Sequence, residues 1–125
     1  MTSRKGARRD AMFVLYQWDV TGKPLASLHE GELDPYSTEL VEGVVAERGV
    51  LDGRINEASR DWSAERLGAL ERNILRIALW ELGRDEVPVE VAIDEAVSLA
   101  KRYASEEAGR LVNGILGRVA REAAR

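Results

Sequence analysis

The sequence predicts an all-α fold, a compact bundle of five substantial helices with shorter ones between them. Apolar residues recur at helical spacing along almost the whole chain, and no segment sustains the two-residue period of a strand. Hydrophobic residues make up 45% and charged residues 32% of the chain, which is the composition of a folded soluble protein. A chain of 125 residues has the size of one ordinary domain, so we expect a single domain over residues 1–125.

The first helix is predicted from Ser3 to Val20. A stripe of apolar side chains marks its buried face: Ala7, Ala11, Val14, Leu15 and Trp18. Thr21 and Gly22 supply a stop signal, because glycine readily adopts the left-handed conformation that ends many helices. Residues 23–33 read as a connection with a short helical turn around residues 25–28.

The second helical region begins at Asp34 and Pro35, an N-cap followed by proline at the first helical position. Its apolar face continues to Ile55. Gly49 and Gly53 weaken this stretch by about 1 kcal/mol each relative to alanine, so we expect a bend or break near Gly49.

Three further long helices and one short helix are predicted in the second half of the chain. Ser63 caps a short helix over residues 64–67, and the following helix over residues 70–82 has the broadest apolar face, so we expect it to be central and most buried. Pro88 starts another helix, and the last one runs over residues 106–123. Within that last helix, the pattern predicts close helix packing at Gly114 and a hydrogen bond from Asn113 to a neighbouring backbone.

The residue types present argue against several kinds of chemistry. There is no cysteine, and the single histidine, His29, has no partner at metal-ligand or triad spacing. The acidic pairs are adjacent residues, which point in different directions on a helix and do not form an acid and base dyad. We therefore expect no metal, no cofactor and no enzyme activity. No apolar run is long enough for a membrane span, which predicts a cytoplasmic protein without a membrane partner.

The net charge of −4 is unevenly distributed. The first nine residues contain four cations and no acid, so the other 116 residues sum to −8. The four cations are Arg4, Lys5, Arg8 and Arg9. A basic end on an acidic body can attract a polyanion locally while the body stays soluble.

The basic residues are placed where they do not stabilise the first helix. Arg4 with Arg8 and Lys5 with Arg9 are like-charge pairs four residues apart, which destabilise a helix by a few tenths of a kcal/mol. They also lie at the positive end of the helix dipole. This pattern favours contacts with an external anion such as RNA phosphate, the alternative being a frayed, solvated basic tail. Tyr16 follows on the same helix as a boundary residue or a contact.

Four segments, in this order along the chain, resemble the NusB family of transcription antitermination factors. They are RKGARRDAMFVLYQWDVTG, WSAERLGALERNILRIALWEL, DEVPVEVAIDEAVSLAKRYASEE and LVNGILGRV. Four segments in the same order are far more specific than one motif, and only residues 23–60 show little resemblance to the family.

The resemblance implies a fold of about seven helices in two small subdomains, and no catalysis. Members of the family bind single-stranded boxA RNA together with the ribosomal protein NusE. They act with other Nus factors on the RNA polymerase elongation complex, notably in ribosomal RNA operons.

The resemblance also implies site residues. The RNA-binding positions are Arg4, Lys5 and Arg8 in the first helix, and Glu107, Arg110 and Leu111 at the start of the last. The partner-binding positions are Tyr16, Glu71 and Arg76. Many relatives have phenylalanine where this chain has Leu111, and leucine cannot stack on a base as an aromatic ring does.

Other interpretations stay open at this point. The overall acidity suits a helical protein-interaction module that never touches RNA. A free-standing relative of the N-terminal module of RNA methyltransferases is less favoured, because nothing follows the module to hold S-adenosylmethionine. An exposed apolar strip could serve a homodimer or the complex with NusE equally well.

Overall fold

The computed structural model describes residues 3–28, 31–59 and 62–124. Within these ranges it contains six α-helices: α1 (Arg4–Thr21), α2 (Pro35–Ala46), α3 (Arg48–Ala58), α4 (Ala69–Leu82), α5 (Val89–Tyr103) and α6 (Glu106–Ala123). Two three-residue 3-10 helices, Leu25–Ser27 and Ala64–Arg66, lie in the connections. No described residue belongs to a strand, so the all-α class is confirmed. The count of α-helices is six and not about seven, because both short segments form the tighter 3-10 turn typical of such brief pieces.

Local side-chain signals set three helix ends as predicted, whereas the predicted cap by Ser63 was wrong, because its side chain forms no capping hydrogen bond with a described residue. The Ser3 hydroxyl accepts a hydrogen bond from the Gly6 amide (3.2 Å), and Asp34 accepts one from the Tyr36 amide (2.9 Å). Gly22 ends α1 in the left-handed region at φ 71°, and its amide donates to the Trp18 carbonyl. These residues satisfy backbone groups that the helix termini leave unpaired.

The predicted interruption of the second helical region is present at Glu47, two residues before Gly49. The Glu47 backbone lies outside the helical region, at φ −107° and ψ 15°. Hydrogen bonds nevertheless continue on both sides, from the Glu47 amide to Gly43 and from the Leu51 amide to Glu47. The chain therefore bends between α2 and α3 without a loop.

Helix α4 is the centre of the molecule, as its broad apolar face predicted. It packs against every other α-helix. Its side chains from Ile74 to Leu79 are almost fully buried, and one continuous apolar core includes residues from all six helices. None of the described helices has the length and apolar character required to span a membrane.

The prediction of close packing at Gly114 was wrong, and the tight contact lies at Gly43 on α2. A Cβ at Gly43 would lie 2.2 Å from Nε1 of the Trp80 indole, whereas a Cβ at Gly114 would meet nothing within 4 Å. Asn113 and Gly114 both face solvent, and Asn113 makes no hydrogen bond with the described residues through its side chain. Apolar spacing defines the buried face of α6, but it does not show which helix surfaces approach most closely.

Candidate nucleic-acid and protein interfaces

The basic start of α1 divides into an exposed part and a buried part. Arg4 and Lys5 are exposed, and neither forms an ion pair with a described residue. The Arg4 guanidinium lies 4.5 Å from the centroid of the Tyr36 ring, a cation–π distance. Both cations can therefore reach an external anion, and Arg4 is partly ordered by the tyrosine beneath it.

Arg8 does not belong to the exposed part. Only 4% of the residue is accessible, and its Nε lies 3.0 and 2.9 Å from the two carboxylate oxygens of Glu81 at the end of α4. Its Nη2 lies 2.9 Å from Oε2 of the same carboxylate. Arg8 thus has an anion within the fold. Local spacing predicted an external anion for Arg8, because a partner 73 positions away is not visible in that spacing.

The hydroxyl of Tyr36 completes this buried cluster by donating to Oε2 of Glu81. Burial would lower the pKa of Arg8, but the hydrogen bonds and charge of Glu81 outweigh it and raise the pKa. Burial, reinforced by the Glu81 hydrogen bond, also raises the pKa of Tyr36. Arg8 therefore remains charged and Tyr36 remains a donor, so the cluster fixes the start of α1 against α2 and α4.

A small cavity between α1 and α5 brings Arg102, a cation that the sequence did not indicate as a site residue, near Lys5 and Arg9. It encloses about 260 Å³ and is lined by Lys5 and Arg9 from α1 and by Arg102, Ser98 and Glu95 from α5. The Nε of Arg9 lies 3.2 Å from Oδ1 of Asp10, and both side chains are well exposed. In the sequence, Arg102 is simply one of two adjacent cations, with Lys101 before it. Nothing in the sequence indicated that the end of α5 lies beside the start of α1.

The start of α6 has a mixed character. The Ser105 hydroxyl accepts a hydrogen bond from the Ala108 amide and caps the helix (3.0 Å). Glu107 and Arg110 are exposed, whereas Leu111 is partly buried against the core. Arg110 and Leu111 line the same groove on α6, and Glu107 is not among the residues that line it.

The predicted partner-binding residues Tyr16 and Glu71 lie on helices that an ion pair joins. Tyr16 on α1 is 37% exposed, and Glu71 in the first turn of α4 is partly exposed. Asp19, one turn after Tyr16, accepts hydrogen bonds from Arg72 (2.7 Å) and from Asn73 (2.9 Å), which follow Glu71. This ion pair therefore holds the segments that carry Tyr16 and Glu71 against each other.

Arg76, the third predicted partner-binding residue, is buried and cannot touch a partner directly. Its accessible fraction is 1%. Its Nε and Nη2 bind the carboxylate of Asp52 on α3 at 2.7 and 2.8 Å, and its Nη1 lies 3.1 Å from Asp19 and 3.0 Å from Asn73. Arg76 thus ties α1, α3 and α4 together. Asp19 and Asp52, which lie 57 and 24 positions away, hold it inside together with Asn73, and helical spacing did not indicate this.

Asp19 receives enough donors to favour its charged form. Its burial would raise the pKa, but the hydrogen bonds from Arg72 and Asn73 and the charge of Arg76 lower it below its usual value. Across residues 3–28, 31–59 and 62–124, no three side chains of His, Cys, Asp or Glu form a group that could hold a metal ion. His29 lies outside these ranges.

Comparison with known proteins gives the same family as the four sequence segments. The family model described as the NusB family matches residues 5–121. The transcription antitermination protein NusB of Rubrobacter xylanophilus is 46% identical over 121 residues, covering 91% of this chain and 87% of that protein.

Two solved structures share the fold over nearly the whole chain. One is a chain in the crystal structure of a plectonemic RNA supercoil, with a TM-score of 0.87, 33% identity, and coverage of 98% of this chain and 97% of that chain. The other is a chain in the crystal structure of the antitermination factors NusB and NusE in complex with double-stranded RNA. It has a TM-score of 0.84, 32% identity, and coverage of 95% and 96%.

Proposed function

The chain belongs to the NusB family, and we propose that it is a transcription antitermination factor that binds single-stranded boxA RNA together with NusE. The observation that carries the proposal is that Arg4 and Lys5, at the start of α1, are exposed and form no ion pair with a described residue. A structural relative at 32% identity forms a complex with NusE and double-stranded RNA, which supports NusE and RNA as partners. The protein acts as an adaptor without catalysis.

The RNA surface in this proposal is centred on the start of α1. Arg4 and Lys5 contact phosphates, and Arg9 and Arg102 add positive charge around the cavity between α1 and α5. Arg8 acts indirectly, because its buried ion pair with Glu81 fixes the helix that presents Arg4 and Lys5. Glu107, Arg110 and Leu111 extend the surface to the start of α6.

The NusE surface in this proposal is built on Tyr16 and Glu71. A tyrosine that is 37% exposed can bury its ring against a partner and keep its hydroxyl hydrogen-bonded. Arg76 contributes by holding Asp19, Asn73 and Asp52 in place beneath this surface.

The family resemblance also supports a compartment, a molecular target and a set of operons for this function. We propose that the protein works in the cytoplasm on the RNA polymerase elongation complex with other Nus factors, notably in ribosomal RNA operons. A homodimer is proposed as a second state of the same exposed surface, in competition with NusE.

A binding titration tests the proposal. The purified chain is titrated with a short single-stranded boxA RNA and with an RNA of the same composition in scrambled order, each with and without NusE. The proposal expects preference for boxA and tighter binding when NusE is present. Binding of NusE with no binding of either RNA would instead identify a protein-interaction module, the function that the net charge of −4 favours.

A further inference from the structure

A groove between α6 and the end of α3 combines an exposed tryptophan with three arginines. It encloses about 570 Å³, and the side chains that matter here are Trp62, Arg110, Leu111, Arg118, Arg121 and Glu122. The volume is in the range of binding pockets, about 300–1,000 Å³. We call this feature the Trp62 groove.

Trp62 is exposed on a segment that is held in place. Trp62 is 49% accessible, whereas Trp80 is 6% accessible and Trp18 packs against the core. The Trp62 amide donates to the Ser59 hydroxyl (3.2 Å), and the Ala64 amide donates to the Asn56 side chain (2.7 Å). The ring is therefore presented by a backbone anchored at Trp62 itself and at Ala64, which lowers the entropy lost when a ligand binds.

A single exposed aromatic residue is common on protein surfaces and does not by itself indicate a binding site. The charged residues around Trp62 distinguish this groove from an ordinary surface. Arg110 and Arg121 form no ion pair with any residue in the described part of the chain. Arg118 pairs with Glu122 (Nε to Oε1, 3.0 Å), which is the one acid among the described residues that line the groove. Within that described lining, three cations thus face one anion, although the net charge of the chain is −4.

The combination of ring and cations selects a particular ligand chemistry. Arginine binds phosphate through its planar fork and can stack on flat rings, and an exposed indole stacks on any nucleobase. An acidic peptide would use the arginines but would leave the indole without a matching flat group. A single-stranded polynucleotide uses both, because phosphates and unstacked bases alternate along it.

We infer that the Trp62 groove binds a nucleotide of the same single-stranded RNA, with Trp62 stacking on the base and Arg118 and Arg121 contacting the backbone phosphates. The inference rests on the proposed function, since Arg110 and Leu111 belong to both surfaces. Leu111 offers no aromatic face at the start of α6, and Trp62 supplies one in the same groove. Arg110 to Arg121 spans about 16 Å along α6, so the groove extends the RNA surface well beyond the start of that helix.

Two substitutions at Trp62 isolate the stacking. Trp62→Leu keeps an apolar side chain without a ring, and Trp62→Phe keeps a ring. With the full chain and short single-stranded boxA RNA as the probe, Trp62→Leu should weaken binding by about tenfold, because one stacked base contributes that order of affinity. Trp62→Phe should retain most of the affinity. RNA should also quench the indole fluorescence of the parent chain, and this quenching should be lost in Trp62→Phe.

A third substitution isolates the phosphate contacts. Arg121→Gln should weaken binding and reduce the slope of log K against log salt by about 0.7, the value for one phosphate contact to a single strand. The Trp62 variants should leave that slope unchanged, because stacking releases no counterions. Lys23→Gln is the matched control, since it removes an exposed cation after the far end of α1.

The outcomes separate this inference from the proposed function. If the parent chain binds RNA and Arg4→Gln weakens that binding while the Trp62 and Arg121 variants do not, the inference is overturned and the proposed function stands. If the parent chain binds no RNA, both the inference and the proposed function are contradicted. If Trp62→Leu weakens NusE binding and leaves RNA binding intact, the groove is a protein-binding site and the inference is wrong.

Discussion

Arg8 near the start of α1 and Glu81 near the end of α4 form a buried ion pair, with three nitrogen-to-oxygen distances of 2.9 to 3.0 Å. At the other end of the same two helices, Asp19 pairs with Arg72 at 2.7 Å. The start of one helix thus meets the end of the other, so α1 and α4 run antiparallel. The two ion pairs are about 16 Å apart along α1. They clamp the helix that carries both proposed surfaces.

Removing Arg8 should destabilise the fold and not merely weaken RNA binding. Arg8→Met leaves the Glu81 carboxylate buried without its cation, and breaking a buried pair in this way costs about 3–5 kcal/mol. Denaturant unfolding measures the loss, and the double variant Arg8→Met with Glu81→Leu should recover part of it. A variant as stable as the parent chain, with a shallower salt dependence of RNA binding, would show that Arg8 contacts phosphate.

Gly43→Ala should destabilise the protein although alanine favours helices. The added methyl group would overlap the Trp80 indole, and overpacking of this kind costs about 1–3 kcal/mol. Gly49→Ala is the matched control, because a Cβ there meets nothing within 4 Å and the gain in helix propensity is about 1 kcal/mol. Thermal unfolding should therefore move in opposite directions for the two variants. A stabilised Gly43→Ala variant would contradict the packing of Trp80 on α2.

The ion pair of Asp19 should make stability depend on acid pH. The pKa of Asp19 is lowered in the folded state from its ordinary 3.8, so its contribution is present above that value and is lost as pH falls through the lower folded pKa. Asp19→Asn should thus be less stable than the parent chain at neutral pH, and the difference should shrink below about pH 4. Unfolding curves across this range test it, and a constant difference would contradict the assigned shift.

Tyr16→Asp should weaken NusE binding by at least about tenfold, because it places a charge where an interface ring would pack. RNA binding by the isolated chain should change little. Glu71→Ala is the companion variant, since a glutamate in the first turn of α4 stabilises the helix by about 1 kcal/mol at most. Loss of RNA affinity with NusE affinity retained would show that the two surfaces have been assigned the wrong way round.

Local signals in the sequence predicted the helices well, because they act over a few residues. Ser3, Gly22 and Asp34 set helix ends through hydrogen bonds to backbone groups two to four positions away. The broad apolar face of α4 indicated a central helix for a similar reason, since burial follows a repeat that is visible in the sequence.

The buried arginines could not be predicted in this way. Arg8 and Arg76 look like surface cations in the sequence, and their partners Glu81 and Asp52 lie 73 and 24 positions away. Only the packing of α1, α3 and α4 brings these charges together. The resemblance implied a partner-binding role for Arg76, whereas the structure buries its side chain between α1, α3 and α4.

The salt dependence of RNA binding by the Arg4→Gln, Lys5→Gln double variant tests the central claim most directly. Both cations are exposed at the start of α1, and each lost phosphate contact to a single strand reduces the slope of log K against log salt by about 0.7. We expect weaker boxA binding, a slope reduced by about 1.4, and unchanged thermal stability, with Lys23→Gln close to the parent chain in all three. An unchanged affinity and slope in the double variant would contradict the assignment of this surface to RNA.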